Sequence, residues 1–234
     1  MRKTEGSFFP RLHVKAKAND HQGHCAMKLE YKIDFDEIDQ KVSHYIDRKR
    51  YLHTKGVEMT AACMAMKYGA EAGLSEPELT AFTNRVRLAG LLHDNAKCGS
   101  NEELLSSCEA YGIPIRDVER INPFLLHGKL GAYYLKERYG IEDKEIAMAI
   151  TYHTTGRPEM SLMEKIIFTA DYIEPGRTKQ KNLSRLRALA FSDLDSCVAQ
   201  IAEDTLEYLG TTGEPIDEMT SLTADYYKEL ITHR

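Results

Sequence analysis

The stretch Leu88-Ala89-Gly90-Leu91-Leu92-His93-Asp94-Asn95-Ala96-Lys97 constrains the fold of this chain more than any other. Phe82, Val86, Ala89 and His93 recur at spacings of four, three and four. That rhythm puts an imidazole on the core-facing stripe of a helix. Asp94 follows in the same apolar surroundings, where a carboxylate is costly unless a cation or strong donors compensate it. Lys97, three residues on, is placed to point into the same cavity. A metal ion is the economical answer, and it requires further His and Asp ligands brought in from elsewhere.

Helical periodicity runs through nearly everything after residue 34. The pattern predicts helices over 36–50 and 53–73, the second with Val57, Ala61, Met64, Ala65 and Tyr68 on one side. Ser75-Glu76-Pro77-Glu78 reads as the start of the helix that leads to the His-Asp pair: a capping Ser, an early Pro, and acids near the positive dipole end. Further helices are expected over 101–111, 127–139, 143–153, 162–174, 183–190, 194–209 and 217–232. Gly112-Ile113-Pro114 stops the first of these. No strand alternation and no internal repeat emerges, so the fold class is all-α, a helical bundle over 34–234. Residues 1–33 differ: Arg2, Lys3, Arg11, Lys15 and Lys17 sit among Gly, Asn, His and Gln with no helical period. They are expected to form a flexible N-terminal extension.

At 234 residues the chain suits one sizeable domain or at most two, and its net charge of -5 argues against nucleic acid as a bulk electrostatic partner. The five cysteines are scattered, with no CxxC pair, which fits reduced thiols in a cytoplasm better than a disulfide framework. No apolar run reaches membrane length and no signal-peptide core opens the chain, so no membrane partner is expected.

His44 lies among Asp39, Lys41 and Asp47 and reads as a surface residue. His53, His93, His127 and His153 instead fall at helix ends or on apolar faces: Ile146, Ala149, Ile150 and His153 share one stripe, and His127, Leu130, Gly131 and Tyr134 another. Any one of them alone is more often a satisfied core histidine than a ligand. Four together with Asp94 are harder to explain that way. Asp171 lies among Ile166, Ile167, Ala170 and Ile173 with no basic partner one turn away, and as a buried carboxylate it calls for a cation. Gly90, Gly128, Gly131 and Ala170 would let helices approach closely around such a centre. Neutral imidazoles and carboxylates suit iron, manganese, zinc or nickel better than magnesium or calcium. Arg50, Lys97 and Arg177 each lie a short step from a candidate ligand and are candidates to grip phosphate, although each is equally readable as a surface charge. Thr154 adds a hydroxyl beside His153.

The ordered set His53-Thr54-Lys55-Gly56-Val57, Leu91-Leu92-His93-Asp94-Asn95-Ala96-Lys97, His127-Gly128, Tyr152-His153-Thr154-Thr155-Gly156 and Ala170-Asp171-Tyr172-Ile173-Glu174-Pro175-Gly176-Arg177 resembles the HD-domain metal-dependent phosphohydrolases. Within them it looks like the YqeK-type proteins, bacterial symmetrical dinucleoside tetraphosphate hydrolases. The resemblance covers roughly residues 36 to 220. It implies a first metal held by His53, His93, Asp94 and Asp171. His127 and His153 then hold a second metal or contact phosphate. The implied metal is iron, as one or two ions, with manganese or another divalent transition metal as the alternative. His93, Asp94 and Lys97 are the implied catalytic residues. The implied substrate contacts are Arg50, Lys97, His127, His153, Thr154 and Arg177, and loop 211–216 resembles a nucleoside-contacting segment. The ligand expected is a dinucleoside polyphosphate or a nucleoside diphosphate, and a homodimer is left open. Two other functions remain: a different HD-type nucleotide phosphohydrolase, and a nucleotide-binding regulator with little turnover. Asn95 departs from the family pattern, in which an aromatic residue is common at that position.

Overall fold

A computed structural model describes residues 33–233 of the chain, and the expected extension, apart from Ile33, lies outside the described residues. These residues form eleven α-helices and one short 3-10 turn. The first is α1 (Phe35–Tyr45), begun by Asp34, whose carboxylate accepts from the Glu37 amide. The second, α2 (Arg48–Glu71), starts five residues earlier than the helix that its periodicity predicts, which corrects the sequence-based boundary. The reason is Asp47. Its carboxylate accepts from the amides of Lys49 and Arg50, and Ile46 and Asp47 are extended. This N-cap puts Arg50 and His53 one turn apart on a single helix.

Capping boxes start three more helices. In α3 (Glu76–Leu92) the Ser75 amide donates to Glu78. In α4 (Asn101–Ala110) the pair is Ser100 and Glu103, and in α8 (Leu162–Ile173) it is Ser161 and Glu164. Between them lie α5 (Asp117–Ile121), which the sequence pattern did not announce, and the 3-10 turn Pro123–Leu125. That turn runs straight into α6 (Leu126–Tyr139), which ends on Gly140 at φ 67, a left-handed conformation that favours glycine. Asp143 caps α7 (Lys144–Tyr152). The chain closes with α9 (Leu183–Leu189), α10 (Leu194–Gly210) and α11 (Glu218–Thr232).

The core forms where α2, α3, α7 and α8 meet, around Val57, Ala61, Met64, Val86, Ala89, Leu92, Ile146, Ile150, Ile166 and Ile167. Burying each of the larger side chains is worth about 1.5–3 kcal/mol. Two glycines set how close the helices come. A Cβ on Gly90 would stand 3.0 Å from the Glu58 Cα on α2, and one on Gly128 would stand 2.6 Å from the Thr151 carbonyl oxygen on α7. α10 and α11 pack against each other, with α10 also resting on α8. A smaller core of Ala96, Leu104, Cys108, Leu126, Leu130 and Tyr134 holds α4 against α6. Helix ends, rather than helix middles, are thereby gathered on one side of the main core.

Candidate metal centre

Four histidines and two aspartates converge there, as expected from the sequence. His93 is the C-cap of α3 and Asp94 the next residue, His153 is the C-cap of α7, and Asp171 lies in the last turn of α8. His53 comes from α2, and His127 from the first turn of α6. His93, Asp94, His127 and His153 are buried, whereas His53 and Asp171 are partly exposed and form the open side. The residue order in the sequence is scattered, but the side chains are adjacent. His93, His53 and Asp171 offer ligand atoms within one small cluster, and His93, Asp94 and His153 do so within another.

Local hydrogen bonds fix which nitrogen faces inward. The Nδ1 atoms of His93 and His153 each donate to a carbonyl three residues back, Gly90 and Ile150, both at 2.7 Å. His127 does the same with the Phe124 carbonyl. His53 Nδ1 instead meets the Glu174 carboxylate at 3.0 Å. With the proton on Nδ1, every Nε2 presents a lone pair to the centre. Those lone pairs face other acceptors, with the Arg177 Nη2 donor also standing 3.3 Å from His53 Nε2. His127 Nε2 lies 3.0 Å from His153 Nε2, and His53 Nε2 lies 2.9 Å from Asp171 Oδ1. His93 Nε2 is buried with no hydrogen-bond partner among the described residues. Opposed acceptors repel unless a cation or a shared proton stands between them, so the donor set fits a divalent transition metal.

Electrostatics point the same way. Asp94 is buried, which raises its pKa, but His93, Lys97 and His153 outweigh burial and hold the carboxyl well below its usual range. Asp171 is held well below that range too: burial again opposes, and His53, His93 and Arg177 prevail. Burial, then Lys97 and His153, push His127 well below an ordinary histidine, and burial lowers His153 as well. Both shifts favour the neutral imidazole, the form that ligates. For His93 burial acts downward, yet the Asp94 charge turns the net shift upward.

The proposed phosphate cations reach the centre, each on a carboxylate. Arg50 Nη1 is 2.7 Å from Asp94 Oδ2, and Lys97 Nζ is 2.9 Å from Asp94 Oδ1. Arg177 pairs with the Asp171 carboxylate and donates from Nε to the Asp171 carbonyl at 2.8 Å. Asp171 has no basic partner one turn away, as read; its partner comes from six residues on, where the turn at Pro175-Gly176 brings Arg177 back. Thr154 Oγ1 lies 3.2 Å from both His127 Nε2 and His153 Nε2. Loop 211–216 is largely exposed, and no hydrogen bond or ion pair joins its side chains to the centre. His44 is exposed as read. Asn95 is buried and donates to the Leu92 and Gly131 carbonyls, tying the end of α3 to α6.

One participant had no role assigned from sequence. Glu174 orients His53 and is itself held by the Gly176 amide, in a space that a side chain at Gly56 would fill, since a Cβ there would lie 2.4 Å from Glu174 Oε2. Its signal was its place three residues after Asp171, directly before Pro175-Gly176.

Helix ends presenting histidines and aspartates to one point define the chain as an HD-domain protein, and the family model described as "HD domain" matches residues 50–176. Relatives narrow this further. The symmetrical bis(5'-nucleosyl)-tetraphosphatase of Halalkalibacterium halodurans is 36% identical over 192 residues, covering 82% of this chain and 94% of the relative. The protein of the same description from Bacillus subtilis is 34% identical, over 79% of this chain and 92% of its own. A crystal structure from Clostridium acetobutylicum, described as a "predicted HD superfamily hydrolase involved in NAD metabolism", superposes with a TM-score of 0.75 at 34% identity, covering 86% of this chain and 99% of that one. The chain belongs to the family of symmetrical bis(5'-nucleosyl)-tetraphosphatases.

Proposed function

We propose that this protein is a metal-dependent hydrolase that cuts dinucleoside tetraphosphates at the middle, converting diadenosine tetraphosphate and water to two ADP. The observation that carries this reading is the ring of inward-facing acceptor atoms of His53, His93, Asp94, His127, His153 and Asp171, flanked by Arg50, Lys97 and Arg177. The six acceptors would hold the metal, with His127 and His153 serving a second ion or touching phosphate. A bound transition metal there supplies Lewis-acid activation of water and of a phosphoryl oxygen. Iron is the metal we favour, as one or two ions, with manganese as the alternative.

The chain's own residues do the rest. Asp94 and His93 hold the reacting region, and Glu174 keeps the His53 proton on Nδ1. Lys97 and Arg177 turn from their carboxylates to the phosphate chain once substrate adds its negative charge, and Arg50 and Thr154 grip the retained nucleoside diphosphate half. Symmetrical cleavage follows if that half-site measures off two phosphates between nucleoside and metal. The unit that acts is the domain from residue 34 onward, working in the cytoplasm of a bacterium as a homodimer, with no nucleic-acid partner. No helix among the described residues is long and apolar enough to cross a membrane.

The test is product analysis with diadenosine tetraphosphate after metal reconstitution. ADP as sole product is expected, and ATP plus AMP would overturn the symmetrical assignment. Lys97→Ala should retain its metal and lose one to two decades of kcat/KM, since a charge-assisted contact is worth about 1.5–3 kcal/mol.

A further inference from the structure

Helix α2 inverts the usual division of a surface helix. Between residues 51 and 70 its exposed positions are Leu52, Met59, Cys63, Met66 and Ala70, and every one is apolar. Leu52, Met59 and Met66 are 59%, 58% and 49% exposed. The opposite face of the same helix supplies Val57, Ala61, Met64 and Ala65 to the core. The charged residues of this stretch lie off the stripe in ion pairs of their own: Lys55 with Asp39 and Glu58, and Lys67 with Glu71. Steps of seven, four, three and four keep the five apolar residues within about 60° of arc at 3.6 residues per turn, over about 27 Å of helix. That spacing is a coiled-coil seam.

We propose that the seam is the interface with a second copy of this chain, α2 packing antiparallel on its counterpart about a two-fold axis level with Ala61. This rests on the homodimer in the reading above and is independent of the hydrolytic assignment. Self-complementarity selects the occupant. About that axis Leu52 of one copy meets Ala70 of the other, and Met59 meets Cys63, so each layer sets a large side chain against a small one. A parallel pairing would stack Met59 on Met59 and leave the cysteine and alanine layers hollow. Charge selects the same arrangement. Exposed Arg48 and Lys49 at the start of α2 come beside Glu71 at the end of the other copy, whereas parallel helices would set like charges together. The contact is isologous, with one stripe serving both partners. It also braces the helix that carries Arg50 and His53 from the side away from the core.

The metal-loaded full chain is to be examined by sedimentation across a concentration series, alone and as Met59→Glu. A dimer is expected for the wild type. The variant should sediment as a monomer with an unchanged circular dichroism spectrum and undiminished ADP production, because Met59 touches neither the core nor the centre. A second measurement uses a short bis-maleimide. The two Cys63 residues are offset by about 6 Å along the helix axis, so they should cross-link in the dimer. Cys63→Ser should abolish the cross-link and Cys98→Ser should leave it. A monomer at every concentration overturns the proposal, as does a dimer that survives Met59→Glu or that does not cross-link through Cys63. A monomer in which Cys63 is shielded from maleimide overturns it too, by showing that the chain covers its own seam. Loss of the dimer with ADP still formed leaves the hydrolase reading standing.

Discussion

A histidine that donates from Nδ1 to a backbone carbonyl has only Nε2 left to offer, and three histidines here are committed in that way. Their rings cannot relieve the crowding of acceptors by flipping without breaking a buried bond. Asp94 is the residue around which the crowding is greatest, with six basic groups at its two oxygens: Arg50, His53 and His93 at Oδ2, and Lys97, His127 and His153 at Oδ1. Asp94→Asn keeps the volume and removes the charge, so turnover should vanish and metal content, measured on the same sample, should fall. His44→Ala, on an exposed face, is the matched control and should do neither. Glu174 acts at one remove. Glu174→Gln should keep the fold but weaken metal binding by about tenfold, the scale on which partners of metal-bound histidines act. Metal titration followed by calorimetry would reveal this, and an unchanged affinity would deny Glu174 its orienting role.

At the scale of the helix, caps decide where ligands stand. Asp47 is one more acid in a charged stretch and Ile46 continues the apolar rhythm, so periodicity alone runs α1 on to residue 50. Only the chain's extended turn at Ile46 and Asp47 exposes the break. α5 spans five residues, too few to display a period. Asp143 is a stronger case. It caps α7, the helix that ends in His153, and binds Arg85 through paired hydrogen bonds at 2.7 and 2.9 Å. Burial raises its pKa, but Arg85 and the two capped amides hold the net value below that of an ordinary aspartate. A carboxyl depressed on folding stabilises above its unfolded pKa, about 4, and that stabilisation fades as pH falls through the lower folded value. Asp143→Ala should therefore cost about 1–2 kcal/mol at neutral pH. The gap in melting temperature between variant and wild type should narrow below pH ~4; a pH-independent gap would mean that the ion pair contributes nothing.

For the whole molecule, the centre works as a clasp on five helices, α2, α3, α6, α7 and α8, so metal removal should loosen the fold as well as silence it. Chelation should lower the melting temperature, and added metal should restore it in a concentration-dependent way, as binding to the native state alone requires. A melting temperature indifferent to chelator would mean that packing alone holds the opposed acceptors together. Much of this centre was legible beforehand, because a histidine on an apolar stripe violates the period in which it sits, and His93, His127 and His153 all did so. What could not be read were bonds closed over distance. Glu174 meets His53 across 121 residues, and Arg177 reaches Asp171 only because Pro175-Gly176 folds the chain back. The apolar outer stripe of α2 was hidden by the inner one, since a sequence shows two stripes as a single hydrophobic run. One further consequence follows from His93 and His153 standing as the final caps of α3 and α7. Beyond Lys97 on one side and Thr154 on the other, the chain can lengthen or shorten without disturbing the centre. A single residue inserted within α7 would instead swing His153 by about 100° around the helix, so variation in length among relatives is expected in the loops and not in the helices that end there.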